Sequence, residues 1–299
     1  MKNIILVLLL AFSLPVFAGE AVKTAGESEA TAEATLKAIQ QFFHQIMPNV
    51  KGDAFVNGSL NFPNSSIEYN KSWSDRLADD AFDQPEEYAK AMATGKKLWE
   101  TPFANGKTFA SCFPNGGKGA ANDYPKVDAA TGKVITFEHA LNQCLVSNNE
   151  KPLEYGDMNK MGALSIHARR LSNGYRIKMD VKTDAEKAAF ARGKTIFYER
   201  NGKAEQACAS CHIQHAGGVA RSEDLSPVIG QAAHFPVFRP NPATGDLSII
   251  TLQQRYFGCQ KNTLVANPIK PGSDASNDLE YFHTYISNGM PLSSGIFRK

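Results

Sequence analysis

Cys208, Ala209, Ser210, Cys211 and His212 read CASCH, the spacing in which two thiols add to the vinyl groups of a haem and the next residue, an imidazole, coordinates its iron. Two intervening residues let the thiols span one edge of the porphyrin and leave the imidazole beneath the metal. A bare CxxCH can also serve zinc or redox chemistry, but the second CxxC that a zinc site needs is absent from this chain. The expectation is one covalently bound haem c, attached at Cys208 and Cys211 and ligated by His212. The other cysteines, Cys112, Cys144 and Cys259, bring the total to five, and an odd number in an exported protein needs an explanation.

Export follows from the N-terminus. Lys2 precedes an apolar run from Ile4 to Phe17 that ends in Val16, Phe17 and Ala18, the pattern of a signal peptide cut after Ala18. The run is short for a membrane span and no later stretch approaches one, so the mature chain is expected to be soluble in an oxidising compartment, the periplasm. The formal charge of +2 excludes the strongly basic footprint of a nucleic-acid-binding protein.

The elements that position the haem motif come from an internal repeat. Residues 186 to 203, EKAAFARGKTIFYERNGK, lead to CASCH; residues 88 to 107, YAKAMATGKKLWETPFANGK, lead to FASCF at Phe109 to Phe113. Each leading segment has the pattern of an amphipathic helix ending near an NGK turn. Thr131-Gly132 then leads to Cys144, and Thr244-Gly245 leads to Cys259. Both halves reach SNG, at Ser172 to Gly174 and Ser287 to Gly289. Chance matches between helix-rich segments are the competing reading, yet four landmarks keep their order. The chain is therefore expected to be mainly α, with two cytochrome c-like domains related by internal duplication, the first without haem. Phe109 and Phe113 stand in that first domain where a thiol and the iron-binding imidazole would be, and their rings could fill part of the space. The expected organisation is a signal peptide at 1–18, a partly helical extension at 19–75, a haemless domain at 76–177 and a haem-binding domain at 178–299. In the extension, residues 32 to 47 place Leu36, Ile39, Phe43 and Ile46 on one helical face, suited to packing on a domain or a subunit.

The repeat also sorts the remaining cysteines. Cys112 occupies the place of a haem thiol and Cys144 that of a residue facing the haem, so a disulfide between them is expected, with two buried free thiols as the alternative. Cys259 is left over. It matches Cys144 in the repeat and follows a helical stretch, TLQQRYFGC, that could carry its thiolate to the iron as sixth ligand. Met290 in SNGMP, His215, His234 and His283 are the other candidates for that position.

CASCH, then FPVFRPNPATGDLSIITLQQRYFGC, then LEYFHTYISNGMPL together resemble the SoxA family, the cytochrome subunits of the periplasmic sulfur-oxidation system. The resemblance covers most of the mature chain, and its most specific part is Arg255 four residues before Cys259. It implies that Cys259 is an axial haem ligand carrying a persulfide and that Arg255 lies at a thiosulfate site. Some members hold haem in both domains; FASCF marks this chain as similar to the single-haem type. The resemblance further implies an L-cysteine S-thiosulfotransferase that oxidatively joins thiosulfate to a cysteine of a SoxYZ carrier. A small SoxX cytochrome would be its partner subunit, and a soluble cytochrome c would take the electrons. Arg239 and Arg298 are candidates for further active-site arginines. A plain electron-transfer cytochrome and a thiosulfate dehydrogenase forming tetrathionate are the alternatives.

The disulfide expectation can be checked directly. Proteolysis of the unreduced protein should yield a peptide pair joined through Cys112 and Cys144, and replacing both by Ala should cost about 3 kcal/mol of folding stability for a loop of this length. Free labelling of both thiols in denaturant without reductant would contradict it.

Overall fold

The structure, a computed structural model, describes residues 23–57, 86–220, 223–240 and 247–295. The signal segment, the start expected for the first domain at residue 76, the Thr244-Gly245 turn and Arg298 lie outside the described residues. Among these residues the protein is mainly helical, with nine α-helices and three short antiparallel hairpins, the middle one formed by β3 (Val219–Ala220) and β4 (Glu223–Asp224). No described helix is long and apolar enough to cross a membrane.

Two helical units follow one plan. In the first, α3 (Glu86–Glu100) crosses α5 (Ala163–Arg170), with α4 (Phe137–Ser147) between them in sequence. In the second, α6 (Asp184–Tyr198) crosses α9 (Asp274–Ile286), with α8 (Leu252–Asn262) in the equivalent place. Each crossing is close because a glycine lies in it. A Cβ on Gly95 would overlap the Ala163 carbonyl, and one on Gly193 would overlap the Asp278 carbonyl. Around Gly193 the contact is sealed by Phe190 and Phe197, whose ring centroids lie 5.1 and 5.0 Å from that of Phe282. Arg192 forms a bidentate pair with Asp278 at 2.6 and 2.8 Å.

Helix starts are set locally. Thr183 and Glu186 make a reciprocal capping box at the start of α6, and Thr251 and Gln254 do the same for α8. Thr136 caps α4 by accepting from the His139 amide. One constant offset relates Thr136 to Thr251, Glu138 to Gln253, Cys144 to Cys259, Ser165 to Glu280 and Ser172 to Ser287. The last pair even repeats its bonding: Ser172 Oγ accepts from the Ala121 amide at 3.0 Å, and Ser287 Oγ accepts from the Gly230 amide at 3.0 Å. The duplication read from the sequence is thus present in the caps, the crossings and the turns.

The two units interlock through their hairpins. β1 (Lys126–Val127) and β2 (Val134–Ile135) pack against α6 and α9 of the second unit. β5 (Val237–Pro240) and β6 (Leu247–Ile250), paired with Phe238 opposite Ile249, put those two side chains against Ala163 and Ile166 of α5. Each half therefore lends its hairpin to the other's helix pair. At the SNG turns, the Asn173 side chain bonds the backbone of Ser294 across the units, and the equivalent Asn288 side chain bonds that of Met179 within the second.

The N-terminal extension packs its apolar face on the second unit and meets the first, which follows it in the chain, through an ion pair of Asp53 with Arg176 at 2.7 Å. In α1 (Ala32–Ile46) Ile39 and Phe43 are fully buried, with Leu36 and Ile46 partly so, as the periodicity predicts. Tyr198 Oη donates to the Ala25 carbonyl at 2.6 Å, and Lys194 Nζ reaches the Glu29 carbonyl and Thr35. Phe55, in α2 (Ala54–Asn57), presses on Gly230, whose φ of +79° and close contact with the Phe55 carbonyl both exclude a side chain.

Gly193→Ala should lower unfolding free energy in denaturant titration by about 1–3 kcal/mol, because a methyl group there must displace the Asp278 backbone. A change within error would show that the crossing can open without cost.

Candidate functional site

Cys208, Cys211 and His212 follow α6 on a turn that continues through Ser210–Gln214. His212 Nδ1 lies 2.7 Å from the Ser226 carbonyl oxygen. A carbonyl can only accept, so Nδ1 carries a proton and donates it, leaving the Nε2 lone pair for a metal. The segment supplying that carbonyl is itself held. The Val228 amide donates to the His212 carbonyl at 2.9 Å, and Gln231 Nε2, in α7 (Gln231–His234), donates to Ser226 Oγ at 2.8 Å. Gln231 Nε2 also lies 3.3 Å from His212 Nδ1, but both atoms are donors, so that approach is not a bond.

The Cys208, Cys211 and Cys259 thiols are free and half-buried. Burial, then the neighbouring Cys259 and Cys211 thiols, push the Cys208 thiol up to about 12. Burial and Cys259 also raise Cys211. The three sulfurs therefore share one site. The first unit supplies a measure of the same arrangement: Cys112 and Cys144, at the positions equivalent to Cys211 and Cys259, are joined as a disulfide with Cα atoms 5.8 Å apart. Around them Phe109 and Phe113 stack on Trp99 at centroid distances of 5.7 and 5.8 Å, so aromatic rings occupy the ground between α3 and the motif.

Cys259 and Arg255 sit one turn apart on α8, so their side chains share a face. Leu252, Gln253, Tyr256 and Gln260 are the buried side of this helix. Tyr256 is tied to α9 by its hydroxyl, 2.9 Å from His283 Nδ1. Burial, then Glu280 and the Cys208 and Cys259 thiols, hold the Tyr256 phenol well above its ordinary value, so it remains a neutral donor. Arg255 is half-buried, and among the described residues no carboxylate pairs with it. An unpaired guanidinium beside a thiol is a ready receptor for a small oxyanion, which it can grip with two parallel N–H groups.

Met290 is buried, with its backbone carbonyl bonded to the Ile177 amide. His283 is engaged by Tyr256, His234 is buried in α7, and His215 is exposed. Arg239 stands in β5 opposite Ser248, within the hairpin lent to the first unit. Sequence reasoning missed Ser226, Gln231 and Tyr256. Only Tyr256, three residues before Cys259, left a local signal; the other two reach the site through a fold-back that no spacing reveals.

A haem fits these residues. The imidazole is held through Nδ1, so that Nε2 is the unprotonated ring nitrogen, the thiols are grouped, and Gly258 adjoins Cys259 with open space where a Cβ would stand. Glycine inside a helix costs about 1 kcal/mol relative to alanine, so a bulky neighbour over this turn gives it a reason.

Fold and site together define a class: a duplicated c-type cytochrome with a CxxCH motif in its second unit. The chain belongs to the SoxA/TsdA cytochrome c domain family, whose model matches residues 94–177 and 192–292. A cytochrome c domain implies haem c. Among similar proteins, the L-cysteine S-thiosulfotransferase subunit SoxA of Chlorobaculum tepidum is 37% identical over 273 residues, 91% of this chain and 89% of that protein. Its counterpart of the same name from Allochromatium vinosum is 33% identical over 286 residues, 95% and 96% of the two chains. A crystal structure of SoxXA from P. pantotrophus superposes with a TM-score of 0.64 at 26% identity, covering 75% of this chain and 84% of that one.

Attachment through thioethers has a simple readout. Haem should stay with the polypeptide through acid-organic extraction, and Cys208→Ala or Cys211→Ala should release a substantial share of it; complete extraction from the unaltered protein would rule out covalent linkage.

Proposed function

We propose that this chain is the haem subunit of a periplasmic thiosulfate-oxidising L-cysteine S-thiosulfotransferase. The reading rests on one observation above others: Arg255 and Cys259 share a face of α8 beside the CxxCH thiols, in a chain whose relatives carry that enzyme's name. Cys208 and Cys211 attach a single haem c in the second domain, with His212 and Cys259 as the iron ligands. The first domain, 76–177, carries a disulfide in place of haem, and the second spans 178–299. The chain pairs with a small SoxX-like cytochrome and acts on a SoxYZ-like carrier, and a soluble cytochrome c takes the electrons.

In the overall reaction a carrier cysteine thiol and thiosulfate form one S–S bond between the thiol sulfur and the sulfane sulfur. One proton leaves the thiol and two electrons are withdrawn. Haem c, when bound, supplies the electron-accepting centre. Arg255 binds the sulfonate oxygens through its paired N–H groups and turns the sulfane sulfur towards Cys259. Holding the iron, the Cys259 thiol would be deprotonated and electron-rich, able to bond the sulfane sulfur of an intact thiosulfate as the two electrons leave and to release that group to the carrier thiolate by exchange. Tyr256 and His283 hold the buried side of the helix, so the two functional side chains keep their mutual geometry.

Two substitutions separate ligation from catalysis. Cys259→Met keeps a thioether that can ligate iron but removes the thiolate, so the haem should still accept electrons while thiosulfate conjugation to the carrier is lost. Arg255→Lys keeps the charge but not the paired donors, and should raise KM for thiosulfate by about tenfold with a little-changed haem spectrum. Normal conjugation by Cys259→Met would falsify the catalytic role of this residue. Turnover to tetrathionate without any carrier thiol would assign the chain to the dehydrogenase reaction instead.

A further inference from the structure

At the interface of the two units lies a buried ionic cluster that the chemistry above does not use. Arg169, at the end of α5 in the first unit, is 6% exposed, and Glu280 on α9 is 2% exposed. Arg169 Nε and Nη2 grip Glu138 of α4 at 3.1 and 2.9 Å, and Nη2 also reaches Glu280 Oε1 at 3.2 Å. The second oxygen of Glu280 accepts from Gln253 Nε2 at 2.9 Å. Gln253 lies in the first turn of α8, two residues before Arg255.

The rest of that turn is anchored as well. Gln253 Oε1 accepts from the Gly272 amide at 2.6 Å, and its Nε2 also donates to Asn277 Oδ1 at 2.9 Å. Gln254 Nε2 donates to the carbonyl of Tyr155, a first-unit residue, at 3.2 Å. Gln254 is thus held directly by the first unit, Gln253 is held by second-unit groups of which Glu280 reaches Arg169, and Arg255 follows directly on the open face. Cys259 lies a turn further on, beside the Cys208 and Cys211 thiols.

We propose that Arg169 is a positioning residue of the first domain that sets the placement of Arg255 through Glu280 and Gln253. The inference rests on the assignment of Arg255 to thiosulfate. It gives the first domain a role in catalysis: its α5 supplies the cation that aligns the substrate-binding turn of the second domain's helix.

The electrostatics make the guanidinium hard to replace. Against the pull of burial, Arg169 holds Glu138 below its ordinary value, while burial and Glu138 push Glu280 up to about 7. Two buried carboxylates lean on one cation. Removing it leaves Glu138 and Glu280 both without a counter-charge, and the Glu280 carboxylate must protonate or move, taking Gln253 with it. The Glu280 carboxylate can accept from Arg169 and Gln253 at once because it has two oxygens; an amide there has one acceptor and must release one of the two donors.

The test uses the haem-loaded complex with its carrier. Arg169→Gln should raise KM for thiosulfate by about tenfold with kcat changed less than about threefold, because the anion-binding turn shifts while Cys259 stays placed. The double variant Arg169→Gln with Glu280→Gln should recover most of that KM, since the new amide serves Gln253 without needing a counter-charge. Partial unfolding would instead lower the active fraction and kcat at unchanged KM. Should Arg169→Gln not accumulate, Glu280→Gln alone leaves Arg169 on Glu138 and should raise KM in the same direction. Backbone hydrogen exchange across residues 252 to 258 should quicken in the Arg169 variant and slow again in the double variant. Unchanged KM in both single variants, or no recovery in the double variant, overturns the proposal. Unchanged exchange beside a raised KM in Arg255→Lys sinks the coupling alone. Unchanged KM in Arg255→Lys beside quickened exchange in Arg169→Gln sinks only the assignment of Arg255.

Discussion

The two close helix crossings at Gly95 and Gly193 are the constraint on which the architecture depends. Backbone meets backbone in each, with no room for a Cβ, so the flanking helices run at a separation that larger residues would forbid. Every later element inherits that spacing. The α6–α9 crossing places the buried face of α9 so that Glu280 meets Gln253 and His283 meets Tyr256, and these contacts hold α8. Without the crossing, α8 would have no fixed surface to lie on, and Arg255 and Cys259 no fixed relation to the CxxCH turn.

Duplication explains why the second crossing exists, and exchange of hairpins explains why the two copies behave as one body. Phe238 and Ile249 bury against Ala163 and Ile166, so the second unit's hairpin completes the first unit's apolar surface. The charges at the centre do a different job. A buried ion pair contributes little net stability because desolvation offsets most of its Coulomb energy, but it strongly penalises any arrangement in which its partners separate. Glu138, Arg169 and Glu280 therefore favour one register between the units over near alternatives that would bury the same apolar area.

The two units also show how one scaffold holds different sulfur chemistry. Where Cys112 has a partner thiol and aromatic neighbours, it forms a disulfide and the region closes around Trp99. Where CASCH keeps its imidazole, the equivalent thiols remain separate and the imidazole is turned by the Ser226 carbonyl to present Nε2. The two motifs differ at two residues, Phe109 standing opposite Cys208 and Phe113 opposite His212, and only the first unit's motif cysteine is cross-linked.

Much of this was legible in the chain alone, because the informative residues act over short spans. CASCH carries its own geometry, the apolar period of residues 32 to 47 marks a helix with a buried side, and Arg255 four residues before Cys259 puts both on one face of a helix. The order of NGK, ASC, the lone cysteine and SNG disclosed the duplication. What sequence could not disclose depends on residues far apart in the chain. That the extension packs on the second unit follows from Tyr198 meeting Ala25 and Gly230 meeting Phe55. That Ser226 orients His212 follows from a loop folding back on the motif. That Arg169 faces Glu280 follows from equivalent helices of the two units sending side chains to one buried point. Spacing encodes which side chains share a turn or a face; only the packed chain decides which faces meet, because that choice is made by shape and desolvation summed over the whole interface.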